Sequence, residues 1–120
     1  MKVEELMVGN IVGYIDDGQL VPVVVRKING QDKIVCLRQS DGHVFNTMID
    51  FLQPIPLTDE ILVMNGIKYQ FGNPWYQGVD LGKEGFAIHF GIHCQMQLIY
   101  LHELQNALRI CKIDKQITLP

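Results

Sequence analysis

The chain contains a single serine, Ser40, and no Gly-x-Ser-x-Gly elbow, which removes the usual serine-hydrolase arrangement from consideration. It also lacks the Lys-Ser/Thr pair that would make its glycine-rich stretch, Gly78 to Gly85, a phosphate-cradling loop. Its cysteines, Cys36, Cys94 and Cys111, are odd in number, widely separated and never spaced as C-x-x-C. That pattern favours buried, reduced thiols over a disulfide framework or a zinc knuckle. Positive charge is in short supply. Ten Lys and Arg against thirteen Asp and Glu leave a net charge of −3, which argues against a nucleic-acid or anionic-membrane partner. No apolar run approaches the ~20 residues that span a bilayer. The opening M-K-V-E-E-L carries two acids and no apolar leader segment, so the chain reads as cytoplasmic. It shows no internal repeat, no low-complexity tract and no cofactor motif.

With 48% apolar and 19% charged residues, the 120-residue chain is globular in composition. A chain of this size buries roughly two-thirds of the surface its unfolded form exposes, so it needs no metal or disulfide to fold. The first half reads as strands. After an arm containing Leu6 and the turn Val8-Gly9-Asn10, strands are expected over 11–15, 21–28, 33–39 and 43–49. Asp16-Asp17-Gly18, Asn29-Gly30 and Ser40-Asp41-Gly42 are the turns between them. Short strands at spacings near ten residues predict a small curled antiparallel sheet, an SH3-like β-barrel part over residues 1–53.

Pro54-Ile55-Pro56 ends the sheet, since neither proline can donate to a ladder. The remaining residues, 54–120, read as an α+β part that shares one compact unit with the barrel. A short helix starts at the N-cap Thr58, and Asn65-Gly66 stops it. Ile61, Leu62, Val63 and Met64 surround its axis, which predicts burial on all sides. Strands are expected over 67–71, 86–90 and 95–100, with a glycine-rich loop from Asn73 to Gly85, and 115–119 reads as a short edge strand. The cleanest helical period lies in Y-L-H-E-L-Q-N-A-L-R-I-C-K, Tyr100 to Lys112. There Leu101, Leu104, Leu108 and Cys111 form one stripe, with Ala107 at its edge. That stripe is expected to cover a second small antiparallel sheet. His102 lies opposite it, so water is its expected environment, and His102→Ala is expected to cost under about 0.5 kcal/mol.

Three groups of residues carry whatever chemistry the chain has. On an unbroken strand His89 and His93 would share a face and Cys94 turn to the other, the beginnings of a metal or thiol site without the remaining ligands, though Gly91 stands between the histidines as a break in that register. Arg26, Lys27, Lys33 and Arg38 lie close together in sequence and could form a nucleic-acid patch on the barrel. Tyr69, Phe71, Trp75 and Tyr76, beside the glycine-rich loop, are either core of the second sheet or anchors of a binding face. The carboxylate pairs Asp16-Asp17, Glu4-Glu5 and Asp59-Glu60 read as turn and helix-start charges.

Three stretches, E-L-M-V-G-N-I-V, P-I-P-L-T-D-E-I-L-V-M-N-G (Pro54 to Gly66) and Y-L-H-E-L-Q-N-A-L (Tyr100 to Leu108), resemble a family of small proteins of gut Bacteroidetes common among prophage and mobile-element genes. The resemblance implies a β-rich first part, a proline-led short helix, a variable β-section and a C-terminal helix. It implies no activity and supplies no catalytic residue. Ala107-Leu108-Arg109-Ile110-Cys111 stands where that family tends to continue with aromatic residues. The function expected from all of this is a non-enzymatic protein-interaction module without cofactor, with a homodimer among its candidate assemblies. A sheet edge or the aromatic group would make the contact.

Overall fold

A computed structural model describes residues 6–70, 73–81 and 100–120. The fold is α+β, and the chain divides into two compact units, Met1–Ile55 and Pro56–Pro120.

The first unit is a five-stranded antiparallel sheet: β1 (Ile11–Asp16), β2 (Gln19–Asn29), β3 (Ile34–Arg38), β4 (Val44–Met48) and β5 (Leu52–Gln53). Their order in space is β4-β3-β2-β1-β5. A 3-10 turn over Ile49–Phe51 carries the chain from β4 towards β5, which pairs with β1 through Gly13↔Gln53 and Tyr14↔Leu52. Positive φ at both Asp17 and Gly18 gives the two-residue turn whose twist suits a β1–β2 hairpin.

Alternation decides the faces. Val12 pairs with Val23, Tyr14 with Val21, Val25 with Leu37 and Ile28 with Val35. Of these rows Val12, Val23, Val25, Val35 and Leu37, with Leu6, Ile49 and Leu52, make the first core, and Tyr14 and Ile28 pack against it. Ile34, Cys36 and Arg38 point the other way, as their spacing predicts. The register shift between Val25 and Lys27 leaves Arg26 as a bulge residue, which bends β2. The bend has a visible consequence. Strands β1 and β4 are three places apart, about 14 Å in a flat sheet, yet the rings of Tyr14 and Phe45 meet edge to face with centroids 5.0 Å apart. The sheet is therefore curled, while the pairing among the described residues leaves β4 and β5 as its two edges and does not close it into a barrel.

Asn29-Gly30 is not a two-residue turn. Asn29 belongs to β2 and its amide bonds Asp32 (3.0 Å), while the left-handed position falls to Lys33 at φ 56°. The Asn29–Asp32 side-chain pair builds a longer loop that the dipeptide rule does not anticipate.

The second unit contains α1 (Asp59–Met64), a three-stranded antiparallel sheet β6 (Lys68–Gln70), β7 (Asn73–Tyr76) and β8 (Val79–Asp80), and α2 (Leu101–Ile110). The stretch expected to be a loop from Asn73 is instead a β7–β8 hairpin, turned by positive φ at Gln77 and Gly78. The expected strand over 86–90, and all of that over 95–100 except Tyr100, lie outside the described residues. Thr58 caps α1 by accepting the Ile61 N–H at 3.2 Å. Burial of α1 is one-sided: Ile61 and Leu62 are buried, whereas Val63 is 76% exposed and Met64 45%. An apolar residue at every position of a single turn cannot specify a face, and the expectation of a fully sunken helix fails.

Helices α1 and α2 end in the same way. In α1 the Gly66 N–H donates to Val63 O and the Ile67 N–H to Leu62 O; in α2 the Lys112 N–H donates to Arg109 O and the Ile113 N–H to Leu108 O. Each is a Schellman closure requiring a left-handed residue just past the helix. Gly66 takes that conformation at φ 69° without steric cost, but at α2 the position is held by Lys112 at φ 60°. Lys112→Gly is therefore expected to raise the stability of this unit by about 0.5–1 kcal/mol, measured by thermal or denaturant unfolding.

The apolar stripe of α2 is buried as its period predicts. Leu104, Ala107 and Leu108 pack with Leu62, Ile67 and Leu81, and Tyr76, Val79, Cys111, Ile113 and Ile117 border them. The last residues run without regular pairing, so no edge strand forms over 115–119. They are tied down by Asn65, whose buried amide bonds both the N–H and the C=O of Thr118, at 2.7 and 2.9 Å.

His102 contradicts its expected orientation. It is 2% exposed and stacks on Tyr100, ring centroids 6.0 Å apart at 13°. Periodicity finds the apolar face of a helix, but it cannot tell that the opposite face of the first turn is covered as well. His102→Ala is now expected to cost about 2 kcal/mol, as large-to-small changes at buried sites do, with the midpoint of chemical denaturation as the readout.

Candidate interaction surface

The residues singled out from sequence fall in different places. Trp75 and Tyr76 are adjacent on β7, so their side chains take opposite faces; both are half-buried, and Tyr76 packs on the second core. Tyr69 lies on β6 in register with Pro74. Phe71, His89, His93 and Cys94 lie outside the described residues. Among the described residues no group of His, Cys, Asp and Glu could hold a metal ion, and neither Cys36 nor Cys111 is in a disulfide.

Arg26, Lys27, Lys33 and Arg38 are all exposed on the first unit. Lys27 is opposite Cys36 and Arg38 opposite Val24, so these two are diagonal neighbours on the outer face. From Lys33 to Arg38 the strand covers about 17 Å. That exceeds the ~8 Å Debye length of physiological salt, so the ends of the group act as separate charges.

The feature that sequence reasoning did not locate is the free side of β4. Its five residues, Val44-Phe45-Asn46-Thr47-Met48, pair with β3 from Ile34↔Met48 to Arg38↔Val44. Beyond the strand's two ends, the His43 carbonyl accepts from Gln39 N–H at 2.8 Å and the Ile49 N–H donates to Lys33 O at 2.9 Å. In an antiparallel ladder, bonded and non-bonded pairs alternate. His43, Phe45, Thr47 and Ile49 thus turn their backbone groups towards β3, while Val44, Asn46 and Met48 turn theirs to the open side.

The side chains of the outward row reinforce the point. Val44 is 51% and Met48 48% exposed, with Ile34 beside Met48 and the exposed Phe51 just beyond. Behind them Phe45 is half-buried, held between Tyr14 and a stacked His43, ring centroids 6.0 Å apart. Natural edge strands are commonly blunted by lysine, proline or an inward charge. V-F-N-T-M has none of these, and its nearest acids, Asp41 and Asp50, lie outside the strand at either end. That absence was readable in the sequence; the fact that this strand is an edge was not, because strand order is a property of the whole sheet.

The geometry suits addition of an extended backbone. It offers alternating donors and acceptors for affinity and shallow apolar contacts at every second residue for selection. No helix among the described residues is long and apolar enough to cross a membrane. Comparison with protein-family models, with curated proteins and with solved structures found no match.

Proposed function

We propose that the chain is a non-enzymatic protein-interaction module that takes up an extended partner segment along the open side of β4. The observation that carries this reading is the outward row Val44, Asn46 and Met48, an uncharged edge without the usual blunting devices. The first unit is proposed to be an SH3-like open barrel, on the strength of its five short strands and the curl that joins Tyr14 to Phe45. A cytoplasmic role accessory to phage or mobile-element biology is the corresponding proposal from the family resemblance.

The test selects ligands from a displayed random-peptide library on the immobilised protein and maps them by amide exchange. The reading expects extended apolar peptides that protect the Val44, Asn46 and Met48 N–H groups. The doubly substituted V44K/M48K protein, altered only at exposed sites, should keep its unfolding midpoint within about 0.5 kcal/mol and lose those ligands. Ligands that map to Trp75 instead, or that bind V44K/M48K unchanged, contradict it.

A further inference from the structure

We infer that the segment which pairs with β4 is β4 of a second copy of this chain, antiparallel and related by a two-fold axis at Asn46. This rests on the reading of β4 as an open interaction edge and names its partner. The argument is one of self-complementarity. A strand can pair antiparallel with its own copy about a residue whose N–H and C=O both point outward, since the two residues on the axis then exchange both bonds. Asn46 is the central residue of β4 and has that orientation. With Asn46 opposite Asn46, Val44 of one copy falls opposite Met48 of the other, and these too are outward-facing. Every backbone group that the edge leaves open thereby meets its complement.

The side chains agree with the same register. On the outer face the row Ile34–Met48 of one copy continues into Val44 of the other, apolar against apolar, with the Asn46 amides side by side at the centre. No charge lies within the strand, so no like charges are brought together there. Beyond each end the ladder stops, because Gly42 lies in a turn at φ 91° and Asp50 in the 3-10 turn Ile49–Phe51. The Asp41 carboxylate is turned back onto its own loop, accepting the His43 N–H at 2.9 Å. Pairing over five residues is small against the ~1,200 Å² at the lower bound of stable interfaces. The expected dimer is weak, with a dissociation constant on the order of 100 μM.

Sedimentation equilibrium of the full chain from about 10 μM to about 1 mM brackets that value. The expected result is a reversible monomer–dimer equilibrium, with the N–H groups of Val44, Asn46 and Met48 becoming protected as concentration rises. V44K/M48K should weaken the dimer about tenfold, because like charges are then opposed at both symmetric pairs. V44K/M48E should restore it, since this register sets each new ammonium opposite a new carboxylate; a parallel or shifted register would not. Two results overturn the proposal: a monomer throughout the range, or a dimer that does not discriminate V44K/M48K from V44K/M48E. A monomer that still binds extended peptides through the same amides removes only the second copy as partner. A monomer that binds none removes the interaction reading with it.

Discussion

Leu104→Asp is expected to abolish cooperative folding of the Pro56–Pro120 unit. Leu104 is fully buried in the stripe of α2, among Leu62, Ile67, Leu81, Ala107 and Leu108. Removing the leucine alone forfeits about 2–5 kcal/mol of transfer and packing energy. The carboxylate adds the cost of a charge that must stay buried without a cationic partner or become protonated. The sum is comparable with the whole stability of a small domain, about 5–15 kcal/mol. The measurement is a nitrogen–proton correlation spectrum. Collapse of the resonances of residues 100–113 is the predicted outcome, and a folded variant with a merely lowered midpoint would mean that α2 does not hold this core.

Asn65→Ala should produce the next largest effect, about 2 kcal/mol or somewhat more. The Asn65 amide donates to Ile61 O at 2.7 Å and to Thr118 O at 2.9 Å, and its oxygen accepts Thr118 N–H at 2.7 Å. It therefore imitates a strand, closing the end of α1 and fastening residues fifty-three positions away in the chain. Thr118 is exposed, so water can take over part of what is lost, and this holds the expected cost below that of a fully buried network. The isosteric Asn65→Asp separates size from hydrogen bonding. A carboxylate still accepts from Thr118 N–H but cannot donate, and it faces the Ile61 and Thr118 carbonyls. Its loss should equal or exceed that of alanine, and residues 113–120 should exchange their amides faster in both. If Asn65→Asp were as stable as the parent, the tail would be held by something else.

Much of the architecture was legible because it is local. The 3.6-residue period of Leu101, Leu104 and Leu108 located the buried face of α2, and Asn65-Gly66 marked where α1 must stop. Asp17-Gly18 announced its hairpin, since Asp and Gly tolerate the left-handed conformations that the turn needs. What failed was set by distant contacts. Lys33, Gln77 and Lys112 all adopt positive φ with side chains that do not advertise it, because the neighbouring pairs and helix closures impose that conformation. Burial of His102 depends on what covers α2 from its polar side, which its own period cannot reveal.

The candidate surface was legible to a smaller degree. The composition of V-F-N-T-M could be read directly, and a sheet edge was among the expected contacts, but the choice of this strand required the order β4-β3-β2-β1-β5. The aromatic group was a reasonable place to look. Tyr76, however, packs on the second core, and residues 73–80 form a hairpin where a loop was expected.

The central claim is that β4 has one paired and one open side, and residue-resolved amide exchange in dilute solution reads this directly. Phe45 and Thr47, bonded to β3, should be protected, while Val44, Asn46 and Met48 between them should exchange close to the rate of an unstructured chain. Even protection of all five N–H groups in the dilute monomer would show the edge already covered, and the account of this surface would be wrong.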